Sequence, residues 1–265
     1  PSPTRAPDTL NSRQFATIQD LLSEGEIEGF ATPSKAGLTD KTSTAYKNAA
    51  LKDIFLDDTP ILKATADNTT PAASDFNFQN VGFDFREGIG NQTHIAGIES
   101  SQSTIAVGAS PTNPAGTLSS GETNGVTRQI TNTDVDAVKV TITFPQLQKA
   151  TDKGDLLGSS VHLRIQVQYN SGGFTDVIND VITGRTADAY QKEYRVNLTG
   201  AFPVDIKVIR NTIDSSTSQL VDAFTWTSLT QIIDDKQTYN NSAYTNLRLD
   251  SEQFSSIPKR AFRIR

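Results

Sequence analysis

Three glutamates at every second position, Glu24, Glu26 and Glu28 in the stretch SEGEIEGF, are the residues whose type and spacing come closest to chemistry. In a strand the three carboxylates share one face; in a helix they fan out. Paired carboxylates do general acid–base work where their surroundings separate their pKa values, which requires a pocket. The flanking Gly25 and Gly29 and the single apolar Ile27 point instead to a turn.

Other candidate chemistry is thinner. The run NTDVDA sets Asn132, Asp134 and Asp136 at the oxygen spacing of a calcium loop, but Ala137 stands where such a loop needs glycine and Thr143 where it needs glutamate. It reads as a loop entering a strand. The two histidines, His94 and His162, are far apart in sequence, and His162 lies on the polar face of an alternating run, the place of a solvated imidazole. There is no cysteine, no GxSxG, no phosphate loop ending in GK[ST] and no HExxH. Catalytic, metal-ligating and cofactor-binding residues are therefore assigned to none of the chain. The basic KRAFRIR at the carboxy end could be drawn as a nucleic-acid strip, yet strand alternation accounts for it with Lys259, Arg263 and Arg265 as a solvated face. Asn68, Asn91, Asn197 and Asn240 head N-x-[ST] triplets, which are frequent by chance in a Ser- and Thr-rich chain.

These residues need elements to hold them, and composition bounds what those are. The 265 residues can bury a substantial core. An apolar share of 35%, with abundant Thr, Ser, Asn and Asp, fits strands and turns better than a helical bundle. A net charge of −6 argues against a surface made to bind phosphates by a general excess of Lys and Arg. No run reaches the roughly 18 apolar residues of a membrane-spanning helix. The chain lacks methionine and stops within an alternating pattern, which reads as a piece of a longer polypeptide.

Residues 1–11, with three prolines, read as an arm ordered only if something holds it. Phe15, Ile18, Leu21 and Leu22 fit either a helix closed by Gly25 or an extended segment running to Ile27. Residues 31–50 look irregular, LKDIFLDDTPIL reads as a hairpin turning at DDTP, and VGFDFREG alternates as a half-buried strand. Residues 91–125 are polar and long for a loop, a length that marks function or a neighbouring chain that holds it. From 126 to 237 the grammar is clean: VKVTITF, VHLRIQVQY, a Gly turn, FTDVINDVI, YRVNL, VDIKVI and DAFTWTSLTQII make about seven strands. Each has one apolar face, so two sheets must pack as a β-sandwich with Trp226 inside. TNLRLDSEQF and KRAFRIR alternate again, with Leu247, Leu249, Phe262 and Ile264 as inward positions.

SEGEIEGF also resembles the SEGPIEG-type signature near the amino terminus of the tip attachment (host specificity, protein J) family of lambda-like long-tailed phages. The order of the remaining blocks is similar: DIFLDDTPI, VGFDFREG, IESS, TRQIT, TDKGD, VHLRIQVQY, and the long WTSLTQIIDDKQTYNNSAYTNLRLDSEQF, whose SEQF tetrapeptide is uncommon. The resemblance covers residue 12 to the end. Glu26 departs from it, standing where the signature commonly has proline, as does a polar insertion at 31–48.

The resemblance implies a non-enzymatic virion protein at the distal end of the phage tail, in an all-β fold with minor helix. Its expected organisation is an amino-terminal arm (1–11), a hub β-domain in two parts (12–90 and 238–265), a long polar loop (91–125) and an inserted β-sandwich (126–237). The signature residues Ser23, Glu24, Gly25, Ile27, Glu28, Gly29, Asp250, Ser251, Glu252, Gln253 and Phe254 become assembly candidates. Implied partners are two further copies in a homotrimer, distal tail and other tail-tip proteins, the tape measure protein, and fibre domains further along the same chain. DNA passes only in transit, and the host outer-membrane receptor is met through other parts. No cofactor is implied. The competing reading from composition alone is a carbohydrate-binding or adhesive β-sandwich of a bacterial surface protein. Such a module should cluster aromatics on a loop rim, whereas a hub should expose apolar strips and long arms.

Overall fold

The computed structural model describes residues 3–12, 14–254 and 256–265. It is all-β in class, with 46% strand against 9% helix. Two compact units emerge: a central unit of Pro1–Ser12 with Glu99–Asp234, and a terminal unit of Arg13–Ile98 with Asp235–Arg265.

The terminal unit is built on an antiparallel sheet in which Ser242–Asp250 lies between Phe15–Glu24 and Gly82–Glu87. The first strand settles the choice left open by Phe15, Ile18, Leu21 and Leu22 in favour of the extended form. Its burial follows a period of two, so Ile18 and Leu22 join the core while Leu21 stays 63% exposed. The inward face meets Phe30, Tyr46, Ile54, Leu56, Ile61 and Leu62, all buried. Phe30 stands edge-on to Phe83 and Phe85 at 5.5 and 5.1 Å, the geometry aromatic quadrupoles favour. Ile54–Leu56 and Thr59–Pro60 form the expected hairpin, with Asp57 and Asp58 at φ 47° and 64°. Positive φ at both turn residues matches the twist of a two-residue hairpin, and Asp tolerates it. Arg260–Phe262 then pairs with Ile54–Leu56.

The segment 31–50, expected to be irregular, holds two short helices, Ala31–Lys35 and Thr44–Ala50. Neither has an apolar period long enough to be seen. Ser43 caps the second by accepting from the Tyr46 N–H at 3.2 Å. The first is tied from a distance: the buried Asp53 carboxylate accepts from the Thr32 N–H and from its hydroxyl at 2.9 Å.

In the central unit two four-stranded antiparallel sheets share one core. One runs Phe174–Gly184, Ser159–Tyr169, Val204–Arg210, Val126–Ile130; the other Tyr190–Asn197, Ala137–Phe144, Thr225–Asp234, Glu99–Ala109. The alternating residues Val138, Val140, Ile142 and Phe144 meet Val161, Leu163, Ile165 and Val167 with none of their surface exposed. Trp226 is fully buried among them and donates its Nε1–H to the Ser228 carbonyl at 2.8 Å.

The stretch 91–125 is not a loop throughout. It contains the eleven-residue strand Glu99–Ala109 and the helix Leu118–Thr123. Between them Asn113, fully buried, donates to the Thr117 and Asn211 carbonyls and accepts from the Gly116 N–H. The arm is likewise held by its own chain. Ala6 donates to the Leu156 carbonyl, the Thr9 N–H to the Arg185 carbonyl, and Leu10 packs on the core. The buried Arg185 guanidinium pairs with Asp8 and donates to the Ala6 carbonyl.

Candidate functional site

SEGEIEGF carries the chain from the end of a strand into the first helix. Ser23 and Glu24 pair with Ala243 and Ser242, and Gly25, at φ 116°, donates to the Asn241 carbonyl at 2.8 Å. The Ile27 N–H donates to the Glu87 carbonyl, burying the isoleucine side chain. The Glu28 N–H donates to the Arg265 carbonyl at 2.7 Å, and the Arg265 N–H returns a bond to the Gly29 carbonyl at 2.9 Å. The segment therefore ties three distant parts of its unit together, chiefly through backbone groups. That explains why its pattern is one of glycines and not of reactive side chains.

Gly29 is demanded twice, by φ of 136° and by space, since a Cβ there would sit 2.1 Å from the Tyr46 hydroxyl oxygen. That hydroxyl accepts the Phe30 N–H at 3.1 Å. Gly88 is required by close approach: a Cβ would lie 2.4 Å from the Gly25 carbonyl oxygen. Glu24, Glu26 and Glu28 are all exposed and do not converge on a pocket. Glu28 accepts from the Ser34 hydroxyl at 2.8 Å and lies 3.6 Å from the Arg265 guanidinium.

The second signature block is a clasp. Asp250 is 1% exposed; its carboxylate accepts from the Asn80 side chain at 3.0 Å and from the Glu252 N–H at 3.1 Å. Ser251 exchanges bonds with Gln14, its N–H donating to the carbonyl and its hydroxyl oxygen accepting from the N–H. Gln253 pairs with the backbone of Gln79, while Phe254 stacks on Phe78 at 5.2 Å. Glu252 is exposed. Sequence reasoning missed the receiving residues, Gln79, Asn80, Asn241 and Arg265, because their work is done by main-chain groups or by lone amides with no spacing signal.

An open cleft of about 430 Å³ lies in the terminal unit, lined by Lys41, Lys47, Asp84, Arg86 and Glu87 among others. Its charges are paired, with one carboxylate shared: Lys41 to Glu87 at 2.6 Å, Lys47 to Asp84 at 3.4 Å, Arg86 to the same Asp84 at 3.1 Å. Arg86 is held further by the Thr93 and His94 carbonyls.

The remaining candidates are structural in place. His162 contacts the Asn179 side chain on the outer face of its sheet. Asn132 accepts from the Asp134 N–H at 3.0 Å, and Asp136 accepts from the Asp234 N–H at 3.0 Å, a turn pinned to a strand. Among the described residues no group of three or more His, Asp or Glu is placed to hold a metal. A strongly perturbed group, Tyr194, lies in the central unit. Burial, and then the Asp180 carboxylate that accepts its hydroxyl, push the Tyr194 phenol far above its ordinary value. Burial works to raise the Asp180 pKa, but bonds from Lys192 and Tyr194, each 2.6 Å, outweigh it and hold the carboxyl low. This set stitches two facing strands.

Comparison with known proteins agrees with the resemblance carried by these blocks. Residues 118–235 match the model of the tip attachment protein J FNIII-A domain. The chain is 28% identical over 260 residues to the tip attachment protein J of Escherichia phage SECphi4, covering 97% of this chain and 20% of that protein. To its counterpart in Escherichia phage SECphi27 it is 29% identical over 210 residues, 78% of this chain and 16% of that one. The chain thus spans about a fifth of the length of the curated relatives it matches. A solved structure titled "CBM4 structure and function" aligns with 57% of the chain at 10% identity and a TM-score of 0.23, too low to carry an argument.

Proposed function

We propose that this chain, similar to tip attachment protein J along nearly its whole length, is the tail-proximal hub of a phage tail tip: a non-enzymatic ring of three copies closing the tail tube and leading to the receptor-binding end. The observation that carries the reading is that similarity, 97% of the chain against SECphi4. In the hub, the terminal unit is the wall and the central unit the insertion. Distal tail and other tail-tip proteins, with the tape measure protein, meet the ring on the tail side, and fibre domains follow on the other. The exposed Glu24, Glu26 and Glu28 and a net charge of −6 suit a conduit that DNA traverses without sticking, since like charges repel.

The all-β class and the bonding of the signature support a scaffold. SEGEIEGF and DSEQF are spent on internal bonds, leaving the glutamates outward, and the charges of the cleft are paired within it. Sedimentation or native mass measurement of the chain tests the reading. Three copies are expected. A well-folded monomer that binds oligosaccharide would instead establish an adhesive module.

A further inference from the structure

The outer strands of the central unit differ in how they are guarded. Phe174–Gly184 carries Asp176 and Asp180; Tyr190–Asn197 carries Lys192, Glu193 and Arg195, and its Gln191 N–H is taken by the Ser12 hydroxyl at 2.9 Å. Val126–Ile130 has five residues and includes Arg128. Charge, shortness and covering segments are what keep an edge strand from pairing with another chain. The fourth edge has none of these. Glu99–Ala109 is eleven residues long, is hydrogen-bonded on one side only, to Thr225–Asp234, and carries its single charge at its first residue.

Its burial is unusual for a sandwich strand. Ser100–Ala106 are exposed at all seven positions, Ile105 by 46%, so both faces are open and no side of the strand belongs to the core there. Register shifts opposite Trp226/Ser228 and Ile233/Asp234 bound a regular run from Ser101 to Ala106, whose outward N–H and C=O groups face solvent in the single chain.

The charge distribution indicates what completes it. From Ser100 to Gly121 the sequence has no Asp, Glu, Lys or Arg, 22 residues in succession in a chain of net charge −6. Copies of one acidic protein repel wherever charged surfaces face each other. An uncharged stretch adds no repulsion of its own when a second copy approaches it, and it offers nothing to a partner recruited by charge. We propose that the free edge of Glu99–Ala109 is an interaction surface completed by a strand of a second copy of this chain. The inference rests on the ring reading above. In a ring of three the contact is head-to-tail, because two identical edges pairing with each other close as a dimer, so the mate is a different edge of the neighbouring copy.

The test compares the unmodified chain with Ile105→Lys. Ile105 is half exposed and sits at the edge, so the variant folds, while lysine there blocks strand addition. Sedimentation across a concentration series should show association of Ile105→Lys weakened at least about tenfold, equivalent to 1.4 kcal/mol, with an unchanged circular dichroism spectrum and melting temperature at dilution. Hydrogen exchange on the unmodified chain gives a second readout. Between Ser101 and Ala106, the amides that point away from Thr225–Asp234 should be protected in the assembled fraction and exchange freely in the dilute one. A three-copy assembly with unprotected amides there, or one indifferent to Ile105→Lys, overturns this inference and leaves the ring intact. A monomer at every concentration overturns both. Protection that arises only with another tail protein reassigns the edge and overturns the second-copy partner.

Discussion

Gln253 pairs with the main chain of Gln79 as a strand neighbour would: its side-chain oxygen accepts the Gln79 N–H at 2.6 Å, and its side-chain nitrogen donates to the Gln79 carbonyl at 2.5 Å. A single amide side chain thus replaces a missing ladder step between segments 174 residues apart. Gln253→Ala removes both bonds and should cost about 1–3 kcal/mol by chemical denaturation. Gln253→Glu should cost at least as much, since it keeps the acceptor but turns a carboxylate oxygen towards a carbonyl. Equal stability of Gln253→Glu and the unmodified chain would show that the donor half contributes nothing.

Gly29 and Tyr46 form the tightest steric pair of the signature. Gly29→Ala should destabilise by roughly 2–4 kcal/mol, combining positive-φ strain with overlap on the Tyr46 hydroxyl. Gly25→Ala meets nothing within 4 Å and should cost only the strain, about 1–2 kcal/mol. Tyr46→Phe removes the overlapping oxygen together with the acceptor for the Phe30 N–H. The double variant Gly29→Ala/Tyr46→Phe should therefore be less destabilised than the sum of the singles. Strict additivity in urea melts would refute the clash.

The stability of the central unit should fall on both sides of neutral pH. The Asp180 pKa is lowered in the fold, so its contribution is present above the ordinary carboxylate pKa of about 4 and disappears as the pH drops through the folded value. Asp176 adds to the same limb: burial raises its pKa, but bonds from Gln166 and Arg164 prevail and lower it. The Tyr194 pKa is raised, so its contribution is complete below the ordinary phenol value of about 10 and is lost as the pH climbs beyond it. Melting temperatures across pH should show Asp180→Asn flattening the acid limb and Tyr194→Phe flattening the alkaline one. An unaltered profile in either variant counts against that assignment.

How much of this was legible depended on whether a residue declared itself by pattern. Val138 to Phe144 and Val161 to Tyr169 alternate, and both are strands whose aliphatic residues are fully buried, with Tyr169 partly so. The DDTP turn and the inward Leu247 and Leu249 were equally plain. Glu99–Ala109 was not, because a strand exposed on both faces has no apolar period to detect. The helices at 31–35 and 44–50 were hidden by their length, and the first is tied by Asp53, 21 residues from the Thr32 it holds. In the signature, the motif singled out SEGEIEGF, but its bonds run to Asn241, Glu87 and Arg265, whose backbone groups leave no trace in residue type.

Arg210 and Asp222 supply the last test, since both side chains are nearly sealed from solvent, 2% and 3% exposed, with guanidinium and carboxylate 2.8 Å apart. Arg210 also donates to the Asp222 carbonyl at 2.7 Å, lies 3.0 Å from the Asp214 carboxylate, and covers the Phe224 ring at 5.9 Å. Breaking such a pair strands a charge in a medium that cannot solvate it. Asp222→Ala should therefore cost about 3–5 kcal/mol. Replacing both partners by apolar residues of similar volume, Arg210→Met with Asp222→Leu, removes the desolvation cost together with the attraction, and should recover much of that loss. The comparison separates two roles for the pair. Recovery in the double variant, read from denaturant midpoints, means the ion pair fixes how the Leu220–Val221 segment seats and adds little net stability. A double variant as unstable as Asp222→Ala would mean that the attraction itself, with the Asp214 contact and the Phe224 ring, exceeds what burial of the two charges costs.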